Sequence, residues 1–169
     1  MEADELIQRY ERLSTPLIYD VLDHMGYPNQ ALSSRIRPLD PRSRLAGPAF
    51  TIEGREADSP GIDPTLAYQL FREIPRGAVL VLATHGHMTS GPWGENTTLS
   101  AQLRGARGLV TDGGVRDAEA LLAMGFPTFC SFVTPVFSGG RFAITGYQKP
   151  VPMPGQVIPT VIEIGRAHV

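Results

Sequence analysis

The sequence predicts an α/β domain built on a mixed sheet, and three observations predict it. Segments of helical and strand periodicity alternate as far as Gly125 and then give way to several strands. The run Ala78-Val-Leu-Val-Leu-Ala83 is apolar at every position, which suits a strand buried on both faces of a parallel sheet. Glycine-bearing turns, Gly91 to Gly94 and Gly113-Gly114, separate strand-like from helix-like segments, as at the carboxyl ends of strands where open α/β folds bind ligands.

Taken in order, Glu5 to Arg12 reads as a polar-rich first helix. Thr15-Pro16 supplies a cap and a first-turn proline for a second, in which Leu17, Val21, Leu22 and Met25 recur at helical spacing before Gly26 ends it. Irregular chain from Tyr27 to Pro48 leads to a strand over Ala49 to Glu53 and a loop over Gly54 to Asp63. Thr65 to Ile74 reads as a helix, Pro75-Arg76-Gly77 as a turn and Ala78 to Ala83 as the buried strand. A helix opens at Glu95 and carries Leu99 and Leu103 on one face. Gly108 to Thr111 is a short β-branched strand, and Asp117 to Gly125 a short helix with acids in its first turn. Strands are expected near Thr128 to Val133, Arg141 to Thr145 and Val157 to Ile164.

Two of the turns carry chemistry. Gly91-Pro92-Trp93-Gly94-Glu95-Asn96 opens one helix, and Thr111-Asp112-Gly113-Gly114-Val115-Arg116-Asp117 opens another. Gly113 and Gly114 allow backbone conformations closed to other residues, so this loop is expected to bend sharply. Taken alone, Asp117 is a helix N-cap and Arg116 a surface guanidinium lying on its apolar stem. Beside Glu95 they gain a second reading. Free amides of Asn96 and Thr97 at a helix start favour a carboxylate, while Glu95 and Asp117 offer oxygen ligands to a hard cation such as magnesium.

Other signals point elsewhere. His85-Gly86-His87 puts two imidazoles on one face of an extended chain, but no third nitrogen or sulfur ligand is near, so zinc is disfavoured and a place in the pocket wall stays open. The glycine loop lacks both the G-x-G-x-x-G spacing and a phosphate-loop lysine, against nucleotide or methyl-donor binding. Trp93 is expected to pack, and Tyr19, Tyr68 and Phe71 to be core or subunit contacts. Cys130, the single cysteine, lies in an apolar run and reads as a small core residue. A hydrophobic content of 42% over 169 residues suits one domain with a sizeable core. The net charge of -2, with scattered Lys and Arg, argues against direct nucleic-acid binding. No apolar run reaches bilayer length and the acidic start is unlike a signal peptide, so the expected location is cytoplasmic.

The stretches Trp93-Gly94-Glu95, Arg104 to Asp117 and Met124-Gly125-Phe126-Pro127-Thr128-Phe129 together resemble the RraA-like family, with Leu13 to Asp23 similar to its opening helix and Leu45 to Thr51 to its first long strand. The family holds the regulator of ribonuclease activity A and divalent-metal-dependent 4-hydroxy-4-methyl-2-oxoglutarate aldolases that also decarboxylate oxaloacetate. The resemblance implies a swivelling β/β/α domain over residues 1–169, assembled as a homotrimer or hexamer with sites between subunits. It also implies a segment beyond Val169, where relatives can supply an acid to a neighbour's site. On this likeness the activity is pyruvate-forming cleavage of a 2-keto acid with Mg2+ or Mn2+. Asp117 would be the metal ligand, Arg116 and Glu95 the catalytic pair, and Gly94, Glu95, Asn96, Thr97 and Arg116 the substrate contacts. A non-catalytic ribonuclease regulator is the alternative, since regulatory relatives keep much of the motif.

Overall fold

The computed structural model describes residues 3–57 and 65–159. Helices α1 (Ala3–Arg12) and α2 (Thr15–His24) lead through irregular chain and the short β1 (Arg37–Pro38) to β2 (Ala49–Glu56). Three crossovers follow: α3 (Thr65–Glu73) to β3 (Val79–Ala83), α4 (Glu95–Leu103) to β4 (Gly108–Thr111), and, after β5 (Gly114–Val115), α5 (Ala118–Ala123) to β6 (Thr128–Cys130). The last described elements are β7 (Phe132–Val133), β8 (Phe142–Tyr147), β9 (Val151–Met153) and β10 (Gln156–Ile158).

The main sheet has six strands in the order β1-β6-β4-β3-β2-β8. Its four inner strands are parallel, and β1 and β8 close the edges antiparallel. The sheet is therefore mixed, as the sequence predicts. β3 is buried at all five positions because both faces are covered. Leu80 and Leu82 join a core with Leu70 of α3, Ala101 of α4 and Leu121 of α5. Val79, Val81 and Ala83 face the other way, onto Val151 and Met153 of the β9–β10 hairpin and onto Leu32, Ile36 and Leu45. Helices, sheet and hairpin thus form three layers. Leu80 is 0% exposed, and its truncation to Ala would cost about 2–5 kcal/mol.

Several elements differ from expectation. β2 runs on to Glu56, because Arg55 and Glu56 pair with Ala143 and Phe142 of β8, so the expected loop from Gly54 begins as strand; residues 58–63 of that loop lie outside the described residues. The expected strand from Thr128 to Val133 breaks at Ser131, whose N–H bonds the Gly113 carbonyl at 3.0 Å. Phe132 and Val133 then leave the main sheet to pair with Gly114 and Val115. The sequence reading missed β1, β5 and β9, each too short to show periodicity, and the part of the last expected strand from 160 to 164 lies outside the described residues. Leu99 and Leu103 do share a face of α4, but it is exposed, and Thr98 and Ala101 are buried instead. α2 buries no residue, so its apolar stripe of Leu17, Val21 and Met25 is exposed. Tyr68 is also exposed, whereas Phe71 packs on the core and Cys130 is buried, its thiol pushed up to about 11 by burial.

Candidate functional site

The neighbouring parallel strands β3 and β4 end at Ala83 and Thr111, and the chain turns after both on the same edge of the sheet. Asp112 ties the two turns together. It is 7% exposed, and its carboxylate accepts the Thr84 N–H at 2.6 Å and the Gly86 N–H at 3.4 Å. The sequence reading gave Asp112 no role; its buried position one residue after a strand end was the available signal. Gly113 and Gly114 serve differently from the expectation. Neither has a positive φ among the described residues. They are small because a Cβ on Gly113 would come within 2.6 Å of Thr84 Cγ2, and one on Gly114 within 2.4 Å of the Phe132 ring.

Trp93 packs, as expected. It is 3% exposed, donates its indole N–H to Thr98 Oγ1 at 2.8 Å and lies against Phe71. Its carbonyl accepts the Arg116 N–H at 2.8 Å, which joins the start of α4 to the second turn. Gly94 is where the two turns touch. A Cβ there would lie 2.6 Å from Asp117 Oδ2 and 2.8 Å from Arg116 Cγ.

Asp117 sits at the N-cap of α5 with φ 55 and ψ 38, a left-handed conformation uncommon outside glycine. It makes no side-chain cap bond to its own helix. Instead Oδ2 accepts the Glu95 N–H at 3.2 Å and Arg116 Nε–H at 3.1 Å. The plain N-cap interpretation is therefore corrected: the carboxylate serves the neighbouring helix start. Side chains of Arg116 and Asp117 are each 33% exposed, open enough to meet a ligand. The guanidinium also faces the Phe137 ring, with Cζ 5.5 Å from its centroid. Phe137 lies in a loop without a motif, and sequence reasoning missed it.

At the start of α4, Thr97 Oγ1 accepts the Gly94 N–H at 2.9 Å and donates to the Gly94 carbonyl at 2.8 Å, so its hydroxyl is engaged within the turn. The Glu95 amide is engaged by Asp117, whereas those of Asn96 and Thr97 have no acceptor among the described residues. Glu95 and Asn96 are exposed. All the expected site residues thus lie along one contact between two turns.

The two histidines part company. His85 Nε2 is 2.8 Å from Glu53 Oε1, and this hydrogen bond, with help from Arg55, holds the Glu53 carboxyl below its ordinary range. His87 is buried against Phe142, with Nε2 2.7 Å from Ser90 Oγ. Among the described residues no three His, Cys, Asp or Glu side chains converge as a metal cage. The donors at hand, the carboxylates of Asp117 and Glu95, fit a hard cation that keeps several waters rather than a soft one held in a closed cage. A cavity of about 930 Å³ between α1–α2 and the sheet contains none of these residues. A smaller one of about 130 Å³ adjoins the turn through Pro92, Trp93 and Thr97.

The fold belongs to a known class. A family model described as RraA-like, Aldolase/RraA, matches residues 15–160, and the chain belongs to the RraA-like family. A protein of Halalkalibacterium halodurans, provisionally named a 4-hydroxy-4-methyl-2-oxoglutarate aldolase, is 31% identical over 130 residues, covering 77% of this chain and 58% of that protein. Protein DlpA of Legionella pneumophila is 28% identical over 153 residues, covering 90% of this chain but 25% of DlpA. The chain thus spans less than two thirds of both relatives. A crystal structure described under novel cellulases from gut-associated microbes superposes with a TM-score of 0.89 at 31% identity, covering 95% of this chain and 72% of that one. Streptomyces coelicolor RraAS2, described as an unusual member of the RNase ES inhibitor RraA family, superposes at 0.82 with 25% identity, covering 93% and 78%.

Proposed function

We propose that this chain is a divalent-metal-dependent lyase that cleaves a carbon–carbon bond of a 2-keto acid and releases pyruvate, as a 4-hydroxy-4-methyl-2-oxoglutarate aldolase, an oxaloacetate decarboxylase or both. The observation that carries this reading is left-handed Asp117, whose carboxylate turns from its own helix toward the Glu95 amide and Arg116. Backbone strain of that kind costs about 1 kcal/mol and concentrates where a side chain must meet a ligand. The aldolase name borne by the Halalkalibacterium relative adds support.

Asp117 would hold magnesium or manganese directly and Glu95 would hold it through water; once bound, the cation would supply a Lewis acid for charge developing on the keto oxygen. Arg116 brings a second positive group to that charge. Its Nε is spent on Asp117, and its terminal nitrogens have no acceptor among the described residues, so they are available to a substrate carboxylate. The amides of Asn96 and Thr97 orient the same carboxylate from the helix start, and Gly94 lets the two turns close on it. A homotrimer or hexamer is part of this reading, and the exposed stripe of Leu17, Val21 and Met25 is surface that assembly would cover. So is a cytoplasmic setting; no described helix is long and apolar enough to cross a membrane.

The test is pyruvate formation from oxaloacetate and from 4-hydroxy-4-methyl-2-oxoglutarate, with magnesium or manganese and again with excess chelator. Turnover above the metal-only background, removed by chelator and lowered roughly 10²- to 10³-fold in Arg116→Ala, is expected. Parental turnover in Arg116→Ala would remove the proposed role of the guanidinium. A second reading, a non-catalytic regulator that binds and inhibits a ribonuclease, draws on the likeness to Streptomyces coelicolor RraAS2. It would be favoured by inhibition of such an enzyme together with no turnover of either substrate.

A further inference from the structure

We propose that Phe137 is a positioning residue for Arg116: its ring fixes the plane of the guanidinium, so that the terminal nitrogens are held ready for an anionic oxygen. For turnover the inference rests on the lyase reading; for the orientation of Arg116 it stands alone. Phe137 is 63% exposed, a large apolar surface for a ring that fills no core. What it does touch is charged: Arg116 Cζ lies 5.5 Å from the ring centroid, within cation–π range.

Both partners are held from behind. Arg116 donates Nε–H to Asp117 Oδ2 at 3.1 Å, and its Cγ passes over Gly94, where a Cβ would come within 2.8 Å. That fixes the stem, but a single hydrogen bond to one edge of the guanidinium still lets its plane tilt. The ring supplies the missing constraint. The Phe137 backbone forms a parallel bridge with Gly91, and its carbonyl accepts Arg141 Nη1–H at 3.1 Å. The ring rests on Gly139, where a Cβ would come within 2.2 Å of Cε1. Gly139 is not among the positive-φ glycines, so its role here is the room it leaves. The aromatic ring thus lies against both a glycine and the guanidinium. A leucine would keep apolar bulk and lose the negative ring face that attracts the cation.

The experiment compares Phe137→Leu, Phe137→Tyr, Gly139→Ala and the double variant Phe137→Leu/Gly139→Ala in the full chain, after thermal melts show that each folds. The first readout is the Arg116 Nε–H resonance, assigned by its loss in Arg116→Lys. We expect the ring-shifted proton signal to revert toward the ordinary arginine position in Phe137→Leu and Gly139→Ala and to persist in Phe137→Tyr. The second readout is kcat and KM for oxaloacetate: a rise in KM of about fivefold in Phe137→Leu and in Gly139→Ala, restored in Phe137→Tyr, with no further loss in the double variant. An Arg116 signal indifferent to Phe137→Leu overturns the inference and leaves the lyase reading intact. Losses that add in full in the double variant also overturn it. A ring-shifted signal that responds as expected, in a parent chain that turns over neither oxaloacetate nor 4-hydroxy-4-methyl-2-oxoglutarate, supports the positioning of Arg116 and removes the lyase reading.

Discussion

Gly94→Ala tests the contact on which the whole site depends. The new Cβ would lie 2.6 Å from Asp117 Oδ2 and 2.8 Å from Arg116 Cγ. The first distance is about 0.8 Å short of ordinary contact, so one of the two turns must retreat by a sizeable fraction of an ångström. Gly94 has φ -156 and ψ -162, extended backbone that alanine adopts freely, so the lesion is steric and not conformational. The immediate casualty is the hydrogen bond from the Glu95 amide to Asp117, worth about 1 kcal/mol once solvent screening at a one-third exposed carboxylate is allowed for. In a domain of this size that lowers Tm by roughly 2–4 °C. Function should suffer more, because displacement of about 1 Å can cost around 10²-fold in rate, equivalent to about 2.7 kcal/mol. The assay pairs a thermal melt with pyruvate release from oxaloacetate in the presence of magnesium or manganese. A variant that keeps both parental Tm and parental turnover would refute the claim that the two turns must touch. So would a loss of activity no larger than the loss of folded protein.

Three further outcomes are expected. Asp117→Gly relieves about 1 kcal/mol of left-handed strain and gives up the hydrogen bond from the Glu95 amide, which is of about the same size, so Tm should stay within about 2 °C as metal-dependent turnover disappears; a larger fall in Tm would show the carboxylate to be mainly structural. Asp112→Ala leaves the Thr84 and Gly86 amides without their acceptor and should cost roughly 1–3 kcal/mol in denaturant unfolding, whereas a change under 0.5 kcal/mol, about the scale of a neutral surface substitution, would count against its role as the tie between the turns. Glu53 has its folded pKa depressed first by His85 and then by Arg55, so its contribution is present above the ordinary value of 4.5 and lost as pH falls through the folded value. Stability measured between neutral pH and pH 3 should therefore fall less steeply in His85→Ala, and an unchanged acid limb would dismiss the pair (pH 3 is about 1.5 units below that ordinary value).

The sequence by itself determined the framework. An all-apolar run at Val79–Ala83 reads as a doubly covered parallel strand because each alternate side chain must find a core, and both cores exist. The crossovers through α3, α4 and α5 follow from periodicity, and the motif around Glu95, Arg116 and Asp117 marks the turns that meet. Local patterns decide such features because burial repeats every second or third residue. Tertiary structure decided the rest. Asp117 reads as a cap by its neighbours in sequence, yet its carboxylate finds the Glu95 amide 22 positions away. Gly113 and Gly114 read as flexible, yet they are small because Thr84 and Phe132 crowd them. Leu99 and Leu103 read as one face of their helix, and only the fold shows that this face is exposed while Thr98 and Ala101 are buried. Phe137 has no motif at all, and only the fold brings it over Arg116. Each of these depends on which atoms arrive from a distant part of the chain, and a contact of that kind leaves no period in the sequence that could announce it.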